Sequence, residues 1–390
     1  MTETNRFAPL PSLQAGDGND LCIVASIVNL PQIEIVHGQI FSRHLLRTVH
    51  ERARALCKAY GGTAALSGPH LLCVFDTDAK GLSSDRDVAF PVAISRMLAS
   101  IGDQAIVFGR ATAFPVVEIH VAYCDGRPLD IDSVGSSRVI SGFPGGQWRE
   151  QFVVDTQTAS EIFVSMESGR LDFAFEPICC ADGSGAVVWR EAVLCETGGS
   201  GSGPRQIGSR IASLERIGMV RRLDRWVAES LMARLTEDPQ ARLGCNISAQ
   251  SAVLDAWWTS AIHALNADPA VASRMTVEIT ETWSIEDPVA TRAFCRALSE
   301  SGCRIALDDV DSQDDHLLKK IGADIDIVKV DASVMLDARF SDHGRTRLEE
   351  IIGIAKEYGD VVVGGIETER DEDIARECGA THLQGYLFAR

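Results

Sequence analysis

Apolar and polar positions follow one another in two different orders along this chain, and the change of order divides it. From Leu21 the apolar run LCIVASIV reads as a strand, and Leu45, Leu46, Val49, Ala53 and Leu56 recur at helical spacing in a helix expected over 39–59. A strand pair around Ala64 to Phe75, a helix over about 89–100 and strands at Ala105 to Phe108 and Val116 to Tyr123 complete a βαββαβ-like order. This predicts a small α+β domain with helices on one face of a sheet. After a helix near 155–168, strand-length apolar runs alternate with helix-length segments to the end of the chain. Strands are expected at 173–180, 186–195, 242–248, 275–280, 303–308, 326–330, 360–364 and 381–384, and this alternation favours an α/β barrel.

The organisation expected is a loose tail over 1–18, an α+β domain over 19–150, a linker helix over 151–169 and a barrel over 170–390. Residues 125–150, with their Gly, Pro and Ser clusters, read as a hairpin and linker, and ETGGSGSGP at 196–204 reads as a flexible barrel loop. Within the second block, Val277-Glu278-Ile279 and Ile305-Ala306-Leu307-Asp308 read as buried parallel strands whose polar residues emerge at the carboxyl ends. Barrels of this kind keep their chemistry there. A single such acid is commonly a helix N-cap. Several of them repeat down this half of the chain, which a capping role alone does not require.

Composition narrows the chemistry. The 390-residue chain carries a formal net charge of -18, which argues against nucleic-acid or anionic-membrane binding, because such a surface repels phosphates at long range. An anionic ligand would need local Arg, Lys or a metal. The 11 cysteines are scattered through mostly apolar runs without a C-x-x-C pair, so they read as reduced, buried thiols. No apolar run reaches ~18 residues and the start lacks a signal-peptide pattern, so a soluble, cytoplasmic protein is expected.

Over about residues 170–390 a series of segments appears in a telling order: FEPI (175–178), REAVL (190–194), IASLERIGMVRRLDRWV (211–227), CNIS (245–248), VEITE (277–281), LDDV (307–310), VKVD (328–331), GGIETE (364–369) and QGYLF (384–388). Together they resemble an EAL domain, the phosphodiesterase or receptor module for the bacterial second messenger cyclic di-GMP. The fold implied is a (β/α)8 TIM-type barrel. Glu191, Asn246, Glu278 and Asp308 offer hard oxygen ligands from four strand ends, which suits Mg²⁺ or Mn²⁺ and not zinc. The resemblance implies that these four form a first metal site, that Asp309 belongs to a second, that Lys329 assists near the attacked phosphate, and that Glu367 and Gln384 line the pocket. The competing account is an internal ion-pair network of Asn246, Asp308 and Lys329.

Several positions depart from the family pattern. Active members carry Ala-Glu-Gly-Val-Glu where this chain has Val363-Gly364-Gly365-Ile366-Glu367, so the expected second-metal ligand and base position is Gly364. The Arg that grips the ligand phosphate is replaced by Cys195, which removes a bidentate clamp that a thiol cannot replace. The usual Gln of Q-P-I is Glu176, which adds negative charge beside the ligand. The loop after the double Asp, normally rich in glycine, reads Val310-Asp311-Ser312-Gln313-Asp314-Asp315-His316-Leu317. One metal at most is expected.

The first block resembles, more faintly, a GGDEF domain, the cyclic di-GMP synthase module. Its signature turn would be Ser67-Gly68-Pro69-His70-Leu71, and Ser26 and Val28 stand where a cyclase needs metal-binding Asp residues. Lys58-Ala59-Tyr60-Gly61 replaces the inhibitory R-x-x-D motif, so no cyclase activity is expected. SGPHL reads first of all as an ordinary hairpin turn with a solvated His70. Arg216, Arg221, Arg222 and Arg225 read as the solvated face of one helix. The expectation is a degenerate GGDEF–EAL signalling protein that acts as a cyclic di-GMP effector or a protein-interaction module, with a homodimer through the EAL domain as one form of assembly. The competing functions are a slow or conditional phosphodiesterase and a scaffold that binds no nucleotide.

Overall fold

A computed structural model of the chain describes residues 20–75, 89–124, 147–197, 205–280, 285, 287–311 and 315–388. Residues 125–146 of the expected hairpin and linker, residues 198–204 of the expected barrel loop and residues 312–314 lie outside the described residues. The chain divides into two compact units, the first of which holds the elements up to Ser160.

In the first unit, strands β1 (Asp20–Ile27), β2 (Gly62–Ser67), β3 (His70–Phe75), β4 (Ile106–Phe108), β5 (Ala111–Ala113) and β6 (Val117–Cys124) alternate with helices Leu30–His37, Gln39–Ala59 and Ala89–Ala99. Four strands form an antiparallel sheet in the order β2-β3-β1-β6, and β4 and β5 pair separately. The helix Gln39–Ala59 buries Phe41, Leu45, Val49, Ala53 and Cys57, the stripe that the three-and-four spacing demands. The helix Leu30–His37 was not expected, because Ile33 and Ile35 alternate with polar residues as a strand would. Pro31 in its first turn has no amide hydrogen to lose there. The β2–β3 turn is a two-residue hairpin in which Gly68 takes φ 57 and Pro69 follows, the residue pattern of a type II′ turn.

In the second unit, which the helix Trp148–Glu167 leads into, the strands are β7 (Leu171–Cys180), β8 (Val187–Glu196), β9 (Arg205–Gln206), β10 (Leu243–Ser248), β11 (Met275–Thr280), β12 (Arg304–Val310), β13 (Ile327–Val330), β14 (Asp360–Val363) and β15 (His382–Gln384). They run in the order β10-β11-β12-β13-β14-β15-β7-β8, and a β8–β10 pairing closes the barrel, with β9 attached at the edge of β8. Strands β8 and β10 to β15 are parallel, but β7 is antiparallel to both β8 and β15. The reversal has a plain cause. Only Ala181 to Ala186 join β7 to β8, and a parallel crossover needs roughly a dozen residues or more. Gly183 (φ 86) and Gly185 (φ 64) turn that short link.

Ile178, Trp189, Ala306, Ile327 and Val362 pack together inside the barrel. The register sets Asn246 beside Glu278, Thr280 beside Asp308, and Glu176 beside Glu191. Polar residues from five neighbouring strands are thereby brought together. The cysteines whose surroundings are described are free thiols, most of them buried. No helix among the described residues is long and apolar enough to cross a membrane.

Candidate functional site

Lys329 is the centre of the barrel mouth. All four residues of β13 are buried, so this lysine has nowhere to place its charge except among the acids of neighbouring strands. Its Nζ donates to Glu191 Oε2 at 2.8 Å, Glu278 Oε2 at 2.6 Å and Asp308 Oδ2 at 2.8 Å. Asn246 Nδ2 donates to the other Glu191 oxygen at 2.6 Å, and Gln384 Nε2 donates to Glu191 Oε2 at 2.6 Å. The three acids bring ligand atoms within 4.8 Å of one another.

Three carboxyls around one ammonium cannot all ionise freely. Burial pushes Glu278 up to about 8, against the pull of Lys329 and with the charges of Glu191 and Asp308 adding to the rise. Burial likewise raises Asp308. Burial would also raise Glu191, but the Lys329 charge and the hydrogen bonds from Lys329, Asn246 and Gln384 outweigh it and hold that carboxyl below its ordinary value. Lys329 itself is held well above the usual lysine range, because Asp308, Glu191 and Glu278 overcome the cost of burying it.

Two residues that sequence reasoning missed fix Glu278. Trp189 Nε1 donates to Glu278 Oε1 at 3.1 Å, from the same face of β8 as Glu191. Gly244 gives that carboxylate its room, since a Cβ there would run into Glu278 Oε1. The signals were available: Trp189 lies two residues before Glu191, and a glycine inside a buried strand marks a close approach.

The donor set fits a hard divalent cation in kind. Every atom is oxygen, and Asn246 Oδ1 is buried with no hydrogen-bond partner, a carbonyl without a donor to face. Glu191, Asn246, Glu278 and Asp308 are the residues that would hold the ion. Asp309 follows with φ 60, a strained conformation for a residue with a side chain, and its amide donates to Asp308 Oδ1 at 3.0 Å. The residue is exposed, yet its carboxyl lies against the mouth, where desolvation and then the Asp308 charge push it up to about 6.

The EAL domain family matches residues 159–390. The chain belongs to the EAL domain family. Among curated relatives, it is 27% identical over 181 residues to the cyclic di-GMP phosphodiesterase PA2567 of Pseudomonas aeruginosa, covering 45% of this chain and 31% of that protein. It is 26% identical over 248 residues to the cyclic di-GMP phosphodiesterase NbdA of the same organism, covering 60% of this chain and 31% of that protein. The matches thus span about a third of each relative. Among solved structures, the barrel superposes on the PaMucR phosphodiesterase–c-di-GMP complex with a TM-score of 0.52 and 21% identity, over 60% of this chain and 96% of that one. The Vibrio cholerae LapD S helix-GGDEF-EAL chain is similar over 96% of this chain and 90% of its own, with a TM-score of 0.53 and 14% identity.

On the other side of the EAL mouth the arrangement changes. Gly364 has no positive φ, and a Cβ there would meet Val330 O at 3.3 Å; its neighbour Gly365 takes φ 76. Glu367 points its carboxylate to Arg339 at 2.9 Å, and Arg339 also grips the buried Asp371 with two bonds at 2.9 and 3.0 Å. The structure therefore joins Glu367, through Arg339, to the support of the β14 loop. Cys195 is buried, with its thiol 3.5 Å from Val193 O. Glu176 accepts from Gln206 Nε2 at 3.3 Å and Gln384 Nε2 at 3.4 Å, so two amides flank the acid that stands in the glutamine position.

Other expected surface features are tied down as well. In the EAL unit Arg222 pairs with Glu167 at 2.8 Å and lies over the Phe163 ring, and Arg221 donates to Gln250 O at 2.9 Å. In the first unit His70 is half-buried and its Nδ1 lies 2.8 Å from Ser26 Oγ, joining the β2–β3 turn to strand β1.

Proposed function

We propose that the EAL barrel is a cyclic di-GMP receptor with impaired hydrolysis, joined to a degenerate GGDEF-like domain, and that it passes the signal on by binding a protein partner. The observation that carries this reading is the split mouth. Glu191, Asn246, Glu278 and Asp308 converge as a complete inner set of oxygen donors, while Gly364 and Cys195 leave the base position and the phosphate clamp without the groups that chemistry needs. The cyclic di-GMP phosphodiesterases among its relatives and the c-di-GMP complex among similar structures support the choice of ligand. The β2-β3-β1-β6 antiparallel sheet of the first unit with its helices, and a likeness to the LapD chain that extends over 96% of this one, support the GGDEF-like part.

A divalent cation held by the four inner residues would screen a ligand phosphate and polarise its oxygens. The other roles belong to this chain. Gln384 and Gln206 present amides at the rim and partly neutralise Glu176, which would otherwise oppose a dianionic ligand. Lys329 supplies the one positive charge that the described residues place among the inner acids. Without a carboxylate at 364, no residue of the β14 loop can take a proton from water at that position.

The test is calorimetric titration of the full chain with cyclic di-GMP, with and without Mg²⁺, together with a hydrolysis assay under Mg²⁺ or Mn²⁺. Binding with negligible turnover is expected. Turnover near about 1 per second, an ordinary enzyme value, would reject the receptor reading in favour of the phosphodiesterase. Absence of binding would reject it in favour of a nucleotide-free scaffold.

A further inference from the structure

We infer that Lys329 is an internal stand-in for the divalent cation, so that lysine and metal occupy the acid cluster in turn and the lysine sets how weakly the barrel takes metal. This rests on the reading that the inner acids of the barrel can hold a cation. An ammonium group has three N–H donors, and here all three are spent, one on each of Glu191, Glu278 and Asp308. The side chain is only 6% exposed, and the amine lies inside the cluster, not at its edge.

Two further observations make the arrangement a substitution and not merely a salt bridge. The fourth oxygen donor, Asn246 Oδ1, is buried and unpartnered, because the ammonium has no hydrogen left for it. A cluster shaped for lysine alone would not leave a carbonyl without a donor, whereas a hard cation with six or more ligands can take it. A cation binds such oxygens at about 2.0–2.6 Å. The same three oxygens lie 2.6–2.8 Å from the lysine nitrogen. An ion there must displace Nζ or face its charge across shared oxygens, and either outcome lowers affinity. If the lysine sits in the cluster in about nine molecules of ten, the apparent metal affinity falls about tenfold.

The test is Mn²⁺ titration of the full chain, with free Mn²⁺ followed by electron paramagnetic resonance, for the wild type, Lys329→Met and Lys329→Ala. Both variants should bind one Mn²⁺ at least about tenfold more tightly than the wild type. Ethylammonium, a free copy of the lost group, should weaken Mn²⁺ binding to Lys329→Ala and leave the wild type unchanged. Equal or weaker binding by the variants overturns the inference. Should the variants fail to fold, the wild type alone decides the question. Lys329 should resist a lysine-acylating reagent without metal and become labelled at saturating Mn²⁺, as read by peptide mass spectrometry; unchanged protection overturns the inference. The two readings fail separately. Cyclic di-GMP binding by a protein that takes no Mn²⁺ in any form removes the lysine inference and leaves the receptor, whereas tight Mn²⁺ binding by Lys329→Met with no nucleotide binding does the reverse.

Discussion

The two sides of the barrel mouth obey different constraints. On the β8, β10, β11, β12 and β13 side, the polar side chains hold one another: Lys329 bonds three acids, Asn246 and Gln384 bond Glu191, and Trp189 bonds Glu278. Removing any one of them leaves a buried charge or dipole uncompensated. On the second side, formed by the β14 loop and the far end of β8, Gly364 and Cys195 take no part in such a network; the thiol turns back to the carbonyl of Val193, and Gly364 lies against Val330. Agreement with the EAL pattern on the first side is therefore weak evidence for catalysis, because stability alone would demand it. The proposed loss of hydrolysis therefore rests on the departures of the second side, where no such network dictates the residues.

Restoring the second side should break this contrast most strongly. Gly364→Glu together with Cys195→Arg is expected to raise cyclic di-GMP hydrolysis by about 10⁴-fold or more, since one electrostatic group is worth about 10²- to 10³-fold in rate. Neither change alone should suffice, because groups that act as a unit are strongly non-additive. The ordinary backbone at Gly364 makes the variant feasible, with a small outward shift against Val330 O. A double variant that folds, binds the nucleotide and still fails to hydrolyse it would put the loss elsewhere, in the altered segment 310–317.

Disturbing the first side should cost stability instead. Lys329→Met, melted in the absence of metal, is expected to lose about 3–5 kcal/mol, the usual consequence of leaving buried charges without a partner. A loss under about 1 kcal/mol, the value of a surface pair, would mean that the network is not what holds the mouth together. Trp189→Phe should cost less, about 1–3 kcal/mol, because it deprives only Glu278 Oε1 of its donor. The same variant should bind Mn²⁺ less selectively, as the freed carboxylate turns. Unchanged melting and unchanged metal binding would remove Trp189 from the account.

The strand order, the helix stripe and the convergence of Glu191, Asn246, Glu278 and Asp308 were legible because period-two runs and strand-end acids are local features of sequence. The direction of β7 was legible too, in the short link Ala181 to Ala186, but only to a reading that weighs connection length against strand polarity. What sequence could not give is how the polar atoms share partners. Both accounts of the acids, metal ligands or ion pairs, start from the same residues. The structure adds Asp308, Glu191 and Glu278 to a single lysine and leaves Asn246 Oδ1 alone, an outcome fixed by ångström distances across strands far apart in the chain. The place of Glu367 was hidden for the same reason, since Arg339, on the helix Ala332–Phe340, reaches it from a different turn of the barrel.

A last and smaller effect lies beside the mouth, where Asp224, on the helix Val220–Glu237, is buried against the end of β10. Its Oδ2 accepts from the amide of Ser248, the last residue of the strand that carries Asn246, at 3.0 Å and from the Ser251 hydroxyl at 2.5 Å. Burial pushes its carboxyl up to about 7, with those two hydrogen bonds opposing and the Glu215 charge adding to the rise. A folded-state value above the unfolded one, near 3.9, means that the group contributes stability in full below about pH 4 and loses it as pH rises through about 7. The barrel should therefore melt at lower temperature at pH 8 than at pH 5, by at most about 1.4 kcal/mol per pH unit from this group. Glu278 adds a slope of the same sign, so Asp224→Asn should remove only part of the dependence, and a double variant with Glu278→Gln should remove more. Asn keeps an acceptor for Ser248 and cannot titrate, which isolates the proton from the packing. If the melting curve of Asp224→Asn runs parallel to that of the wild type between about pH 5 and pH 8, Asp224 is ionised throughout, and the first side of the mouth carries one more buried charge than its hydrogen bonds account for.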